Sequence, residues 1–167
     1  MSDLRVRPAV PEDWSRMEAS FVAAGKAAWP HILPAEFLER LSPPARWREA
    51  ISDPSYRVLV GLDEGQVCGF AVLRHSGDED AETSTGELDS FYVHPDAWGK
   101  GVGRELLRAA VEGLREMGFR TATLWTAELN HRPRRVYEAA GWALDGARRE
   151  RALGGQNFVE LRYRRPL

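Results

Sequence analysis

Cysteine is almost missing from this 167-residue chain: Cys68 is the only one. A single thiol excludes an intramolecular disulfide and any metal knot built from several cysteines. It lies in the apolar run "QVCGFAVL", where it reads as a small buried strand residue rather than a nucleophile. Lysine is nearly as scarce, with Lys26 and Lys100 the only two among 23 basic residues. The net charge is −2, so the chain lacks the basic field that nucleic-acid binding requires. No apolar run approaches the ~20 residues of a membrane span, and the opening "MSDLRVRPAVPED" lacks the apolar centre of a signal peptide. The expectation is a cytoplasmic protein with neither membrane nor nucleic acid as partner. His31, His75, His94 and His131 are scattered, without the i, i+3 or i, i+4 spacing of a helix-borne pair. No metal site is expected.

What is present is an ordinary globular balance, 43% hydrophobic and 29% charged, at a length that suits one domain spanning residues 1–167. "LRVRPAV" alternates as a first strand. Glu12 and Asp13 suit the opening of a helix running to about Gly25. Prolines at 30, 34, 43 and 44 break the next stretch into short helices around "PAEFLERL" and "PARWREAI", a segment suited to walling a substrate cleft. "SYRVLVGL" and "QVCGFAVLR" are strands joined by "DEG", a hairpin signal. "HSGDEDAETSTG" reads as a mobile surface loop and "ELDSFYV" as a strand. Leu106, Leu107, Ala110, Val111, Leu114 and Met117 make the stripe of an amphipathic helix ended by Gly118. "RTATLWT", "HRPRRVYEAA", "WALDGA" and "FVELRYRR" then read as strand, helix and two closing strands. The order predicts a mixed α/β fold, with hairpins first and crossovers after.

The stretch "HPDAWGKGVGRELL" sets Gly99, Gly101 and Gly103 between a strand and that helix. A nucleoside-triphosphate loop would need G-x-x-x-x-G-K-[ST], but Lys100 lies between two glycines with no Ser or Thr after it. A dinucleotide fingerprint needs a third small residue; from Gly99 that position is Arg104, and from Gly101 it is Leu106. Both readings fail. An anion at a helix N-terminus still fits, because free backbone N–H groups and the helix dipole converge there. The competing reading is a plain strand–helix turn.

"ELDSFYVHPDAWGKGVGRELL" followed by "ATLWTAELNHRPRRVYEAAGW" resembles the GNAT superfamily of acyl-CoA-dependent N-acyltransferases. Its signature is [QR]-x-x-G-x-[GA] after the fourth strand, then Asn and, seven residues on, Tyr before a Gly-aromatic pair. Gly101, Gly103, Asn130, Tyr137 and Gly141–Trp142 occupy those positions; Trp98 replaces the usual first Gln or Arg, and Pro133 stands where a small residue is usual. The resemblance implies a six- to seven-stranded mixed sheet with a splayed fourth strand. It implies acetyl-CoA as co-substrate, its pyrophosphate held at Trp98, Gly99, Lys100, Gly101, Val102, Gly103 and Arg104. The pantetheine arm would run beside Phe91, Tyr92 and Val93, with Asn130 bonding its amide and Tyr137 giving a proton to the sulfur.

Acyl transfer to an amine needs a base, because an alkylamine with a pKa near ~10.4 is protonated at pH 7. Glu87 stands six residues before Val93, where the resembling family often carries a catalytic glutamate; Asp89 is the second candidate. Period-2 alternation puts Glu87, Asp89, Phe91 and Val93 on one face. The competing readings are a solvated strand start for Glu87 and an aromatic packed between helix and sheet for Tyr137. Cys68 lies outside the loops, which favours direct transfer in a ternary complex. The expected acceptor is a primary amine of a small molecule or a protein N-terminus. Acidic residues 78–82 hint at a cationic one, and "AAWPHILP" offers apolar walls. A homodimer through the C-terminal strands is a family-level expectation. The rival is a non-catalytic acyl-CoA-binding or sensing domain.

Overall fold

Alternation along the strands decides which residues meet which layer. In the computed structural model, which describes residues 2–167, Val58, Val60 and Leu62 face one apolar cluster while Leu59 faces another. Phe70 and Val72 likewise part from Ala71 and Leu73. These residues belong to β2 (Arg57–Asp63) and β3 (Gln66–His75), which pair antiparallel. Their turn takes positive φ at Glu64 (49°) and Gly65 (79°), the backbone twist that two-residue hairpins prefer.

The sheet has seven strands in the order β1-β2-β3-β4-β5-β7-β6, where β1 is Leu4–Pro8, β4 Thr85–Val93, β5 Thr121–Ala127, β6 Ala143–Leu153 and β7 Gln156–Pro166. All neighbours are antiparallel except β4 and β5. That parallel pair requires a crossover, supplied by α4 (Val102–Glu116), whose stripe of Leu106, Leu107, Ala110, Val111 and Leu114 is buried on the sheet. Each large side chain so buried contributes ~1.5–3 kcal/mol relative to exposure. On the other face lie α1 (Trp14–Ala28) and α3 (Ala45–Ala50), with Met17, Phe21 and Trp47 in the second cluster. Between them is α2 (Ala35–Glu39), and α5 (His131–Ala139) follows β5.

Two irregularities shape the middle of the sheet. The β4–β5 ladder holds only at Thr85–Thr121, Gly86–Ala122 and Glu87–Thr123. Beyond Glu87 the two strands part, and the backbone edge of β4 toward β5 is left without a ladder. The second is a bulge: Val72 pairs with Ser90 and Leu73 with Leu88, so Asp89 is an extra residue on β4. The expected shared face is therefore corrected. Leu88, Phe91 and Val93 belong with the α4 cluster and Tyr92 with the α1 cluster, whereas Asp89 bonds to side chains of α3. One inserted residue flips the alternation, which sets Glu87 and Asp89 opposite Phe91 and Val93.

Two other expectations also change. The closing hairpin is longer than "WALDGA" and "FVELRYRR" suggested, at 11 residues in each strand. The missed part, "RRERAL", is largely exposed on both faces, so it carries no apolar period to read. The acidic loop is pinned rather than free. Asp78 accepts from Trp125 Nε1 at 2.9 Å and from Arg162, and Asp80 takes two 2.7 Å bonds from the same guanidinium.

Candidate active site

The glycine loop comes first because backbone alone builds it. Gly99 and Gly101 take φ of 76° and 93°, a region open at little cost only to glycine. A Cβ at Gly99 would meet nothing within 4 Å, so this stretch of main chain faces open space. Helix α4 begins at Val102, and its first intrahelical bond is Glu105 N to Gly101 O at 3.1 Å. The N–H groups of Gly99, Gly101, Val102, Gly103 and Arg104 have no acceptor among the described residues, as the first turn of a helix requires. Lys100 departs from the expected run of free amides: its N–H turns back to Ala97 O at 3.4 Å and its Nζ approaches Asp63 at 3.9 Å. Unpaired amides plus the helix dipole form a seat for an anionic group.

Trp98 does not point its polar atom into that seat. Its Nε1 donates to Val93 O at 2.8 Å, which ties the loop to the end of β4. Arg132, from the first turn of α5, lies over the Trp98 ring at 4.5 Å, a contact across the parted strands that no sequence signal indicated.

At the opposite end of the opening stands Glu87, 5% exposed. Arg74 is its register partner on β3, and Arg74 Nη2 lies 2.7 Å from Glu87 Oε2. The approach angle is poor, and Oε2 remains without a well-formed hydrogen bond. Burial raises the Glu87 pKa, and Arg74 only partly opposes it, leaving a value of about 7. Thr123, its partner on β5, has a buried hydroxyl that also lacks any partner. Buried polar atoms are normally satisfied. Here the two unsatisfied atoms belong to register partners on the last rung of the β4–β5 ladder, where the strands begin to part.

Asp89, two residues on, is the reverse case. It accepts from Arg46 Nη1 (2.9 Å), Trp47 Nε1 (3.1 Å), Arg74 Nε (2.9 Å) and Ser90 Oγ (2.8 Å). Burial pushes its pKa up, but the Ser90 and Arg46 bonds and the charges of Arg46 and Arg74 outweigh that and hold it below the usual range. Such a carboxylate is an anchor, with little appetite for a proton.

Tyr137 lies on the other side of the sheet, 5% exposed, with its ring 5.8 Å from Phe91 and 6.0 Å from Tyr163. Its hydroxyl makes no hydrogen bond among the described residues, and burial raises its pKa, so it stays protonated. Asn130 is the residue before α5; its side chain caps nothing and is free. On the Glu87 side, Tyr92 packs against Phe21, Trp29, Trp47 and Phe70 at 4.9–5.9 Å, an aromatic cluster of the α1-side core from which Trp29 and Tyr92 are partly exposed. Cys68 is half-buried with its thiol 3.6 Å from Gly61 O. His31 contacts Leu129 O at 2.7 Å. No group of His, Cys, Asp and Glu side chains among the described residues is arranged to hold a metal, and no described helix is long and apolar enough to cross a membrane.

The geometry therefore offers an anion seat, a slot with a free strand edge, a raised carboxyl on one face and a protonated phenol on the other. Sequence comparison bears on the same region. The profile described as "Acetyltransferase (GNAT) family" matches residues 14–142. A Mycobacterium tuberculosis protein named as an N-acetyltransferase is 25% identical over 98% of this chain and 94% of its own length. An Escherichia coli L-amino acid N-acyltransferase is 32% identical over 59% of this chain and 56% of its own. In fold, the PaiA N-acetyltransferase of Thermoplasma acidophilum, solved with coenzyme A, superposes with a TM-score of 0.78 at 17% identity over 99% of both chains. With well over half of its length matched by that profile, the chain belongs to the acetyltransferase (GNAT) family.

Proposed function

We propose that residues 1–167 act as one catalytic domain that moves an acetyl group from acetyl-CoA directly to a primary amine of a small molecule or a protein N-terminus. The observation that carries this reading is Glu87: a buried carboxyl with a pKa of about 7 and an unsatisfied oxygen, at the mouth of the parted β4 and β5. A general base works best with a pKa near the operating pH, and collecting the ammonium proton is the step an amine acceptor needs.

The residues fit the co-substrate. Free amides of Gly99 and of Gly101 to Arg104 would hold the pyrophosphate, with Trp98 and Lys100 shaping the loop around them. The unladdered edge of Phe91, Tyr92 and Val93 would bond the pantetheine arm as an added strand does, and the free amide of Asn130 would close on it from α5. When bound, acetyl-CoA supplies the acetyl group as a reactive thioester. Glu87 then takes the proton from the acceptor nitrogen on its carboxylate, whose Oε2 stays against Arg74. Tyr137, kept protonated by burial, delivers a proton from Oη to the departing sulfur from the opposite face. The two roles are thus held apart by the sheet itself. Cys68, half-buried on β3 with its thiol turned to Gly61 O, takes no part in this scheme.

For the acceptor, the partly exposed rings of Trp29 and Tyr92 favour an amine with an apolar body. The pinned loop argues against recognition of a polycation, since Asp78 and Asp80 are committed to Arg162. The named activity of the Escherichia coli relative on L-amino acids makes these a reasonable first set. The test is release of free thiol from acetyl-CoA across a panel of amino acids, aromatic amines and N-terminal peptides. Amine-dependent release is expected. Acetyl-CoA binding by thermal shift with no release from any amine would instead favour the sensing domain.

A further inference from the structure

The carboxylates at the site are not independent, and the residue that joins them is Arg74. Its guanidinium donates through Nε to Asp89 Oδ1 at 2.9 Å and presents Nη2 to Glu87 Oε2 at 2.7 Å. Asp89 is also held from elsewhere, because Arg46, Trp47 and Ser90 bond its other oxygen, Oδ2. Glu87, by contrast, has no other ion-pair partner among the described residues. Glu87 and Asp89 share the face occupied by Arg74 as i and i+2 on β4, and the bulge at Asp89 turns only Phe91 and Val93 away to the other face. The anchor then runs on into α3, since Arg46 and Trp47 hold Asp89 from that helix.

We propose that Arg74 is the positioning residue of the site: fixed through Nε by the α3-anchored Asp89, it keeps one guanidinium N–H against Glu87 and so sets how readily that carboxylate accepts the acceptor amine's proton. This deepens the reading of Glu87 as base and rests on it. Four charged groups act on Glu87 from the surrounding elements. Arg74 from β3 and Arg149 from β6 favour its anion, while Asp89 on β4 and Asp78 in the loop before β4 disfavour it. Arg74 is the one in contact. Its off-line approach also makes chemical sense, because a fully formed bidentate pair would hold the carboxylate as an anion too weakly basic to take a proton.

A merely structural Arg74 and a tuning one differ in sign. Losing the cation should raise the pH at which Glu87 titrates, whereas neutralising Asp89 should lower it. The experiment is a carbon-13 NMR titration of the Glu87 side-chain carboxyl in the unliganded protein, assigned by its loss in Glu87→Gln. Expected are a rise of roughly 1–3 pH units in Arg74→Met, the range for a contacting opposite charge, a smaller change in Arg74→Lys, and a fall in Asp89→Asn. Arg74→Lys keeps the charge and Asp89→Asn keeps the shape, so the signs remain readable if Arg74→Met fails to fold. An unmoved midpoint in the folded Arg74 variants, or the same direction of shift from Arg74 and Asp89 variants, overturns the proposal. In that case a loss of turnover in Glu87→Gln would still leave the base reading standing. If the NMR midpoints move as expected but the acid limb of kcat/KM stays put, the catalytic role of the contact is overturned along with Glu87 as base. A limb that moves with the midpoint, at unchanged KM for acetyl-CoA, supports both.

Discussion

The two ends of the β4–β5 opening are built from opposite materials. The loop end is main chain: unpaired amides, two left-handed glycines and a Cβ-free surface at Gly99. The Glu87 end is side chain: two carboxylates, two arginines and a tryptophan N–H in one connected set. A backbone site is hurt by adding atoms and hardly notices their removal. A side-chain site fails when a single functional group is taken away. Substitutions of the two kinds should therefore separate the ends.

The largest expected effect belongs to the side-chain end. Glu87→Gln preserves shape and removes the proposed base, so turnover at pH 7 should fall ~10²–10⁴-fold, the usual weight of a positioned acid or base, with acetyl-CoA affinity little changed by calorimetry. The same substitution has a stability signature. Because the folded protein holds the Glu87 proton up to about pH 7, this group's contribution is fully present below the unfolded value near ~4.5 and is lost as pH rises through 7. Relative to Glu87→Gln, the wild type should lose on the order of 3 kcal/mol between those limits, at ~1.4 kcal/mol per unit. Melting curves at pH 4.5 and 8 would show it, and parallel curves would speak against a buried, raised carboxyl.

At the loop end the sign of the perturbation reverses. Gly101→Val forces a β-branched residue into a φ of 93° and places Cβ about where Leu4 Cδ1 already approaches to 3.3 Å. The left-handed conformation alone costs ~1–2 kcal/mol, and coenzyme A binding should weaken by roughly tenfold or more as the loop rearranges. Tyr137→Phe should lower turnover by a smaller factor than Glu87→Gln, because a thiolate with a pKa near ~8.5 leaves fairly well without a donor. High pH should not restore that loss. Smallest of all is Lys100→Ala, since Nζ stands over Asp63 rather than over the free amides. Were Lys100→Ala more damaging to coenzyme A binding than Gly101→Val, the division between a backbone end and a side-chain end would collapse.

The same division explains how much could be read from the sequence. The loop end is local, so the glycine spacing and the leucine stripe of α4 announced it within residues 99–117. The hairpin at Glu64–Gly65 and the short helices between prolines were legible for the same reason. The Glu87 end was legible only as a lone acidic residue on a strand. What gives it chemistry arrives from far away: Arg74 across a polar loop whose length sets no register, and Arg46 and Trp47 from a helix 42 or more residues earlier. The bulge at Asp89 left no mark either, because nothing in "ELDSFYV" distinguishes a regular strand from one with an inserted residue. Strict alternation therefore put four side chains on one face where the fold divides them in two. The acidic loop was misjudged as mobile because its partner, Arg162, lies some 80 positions on. A surface rich in arginine offers no sequence clue to which guanidinium pairs with which acid.

The proposed mechanism turns on Glu87 collecting the acceptor's proton. That step is read out by the pH dependence of kcat/KM for an amine found in the thiol-release panel, at saturating acetyl-CoA, in wild type and Glu87→Gln. The wild type should show an acid limb with a midpoint of about 7. In the variant that limb should vanish, and the much lower rate should climb steadily toward the amine's own pKa. A variant that keeps the same limb and normal turnover at pH 7 would remove Glu87 from the chemistry.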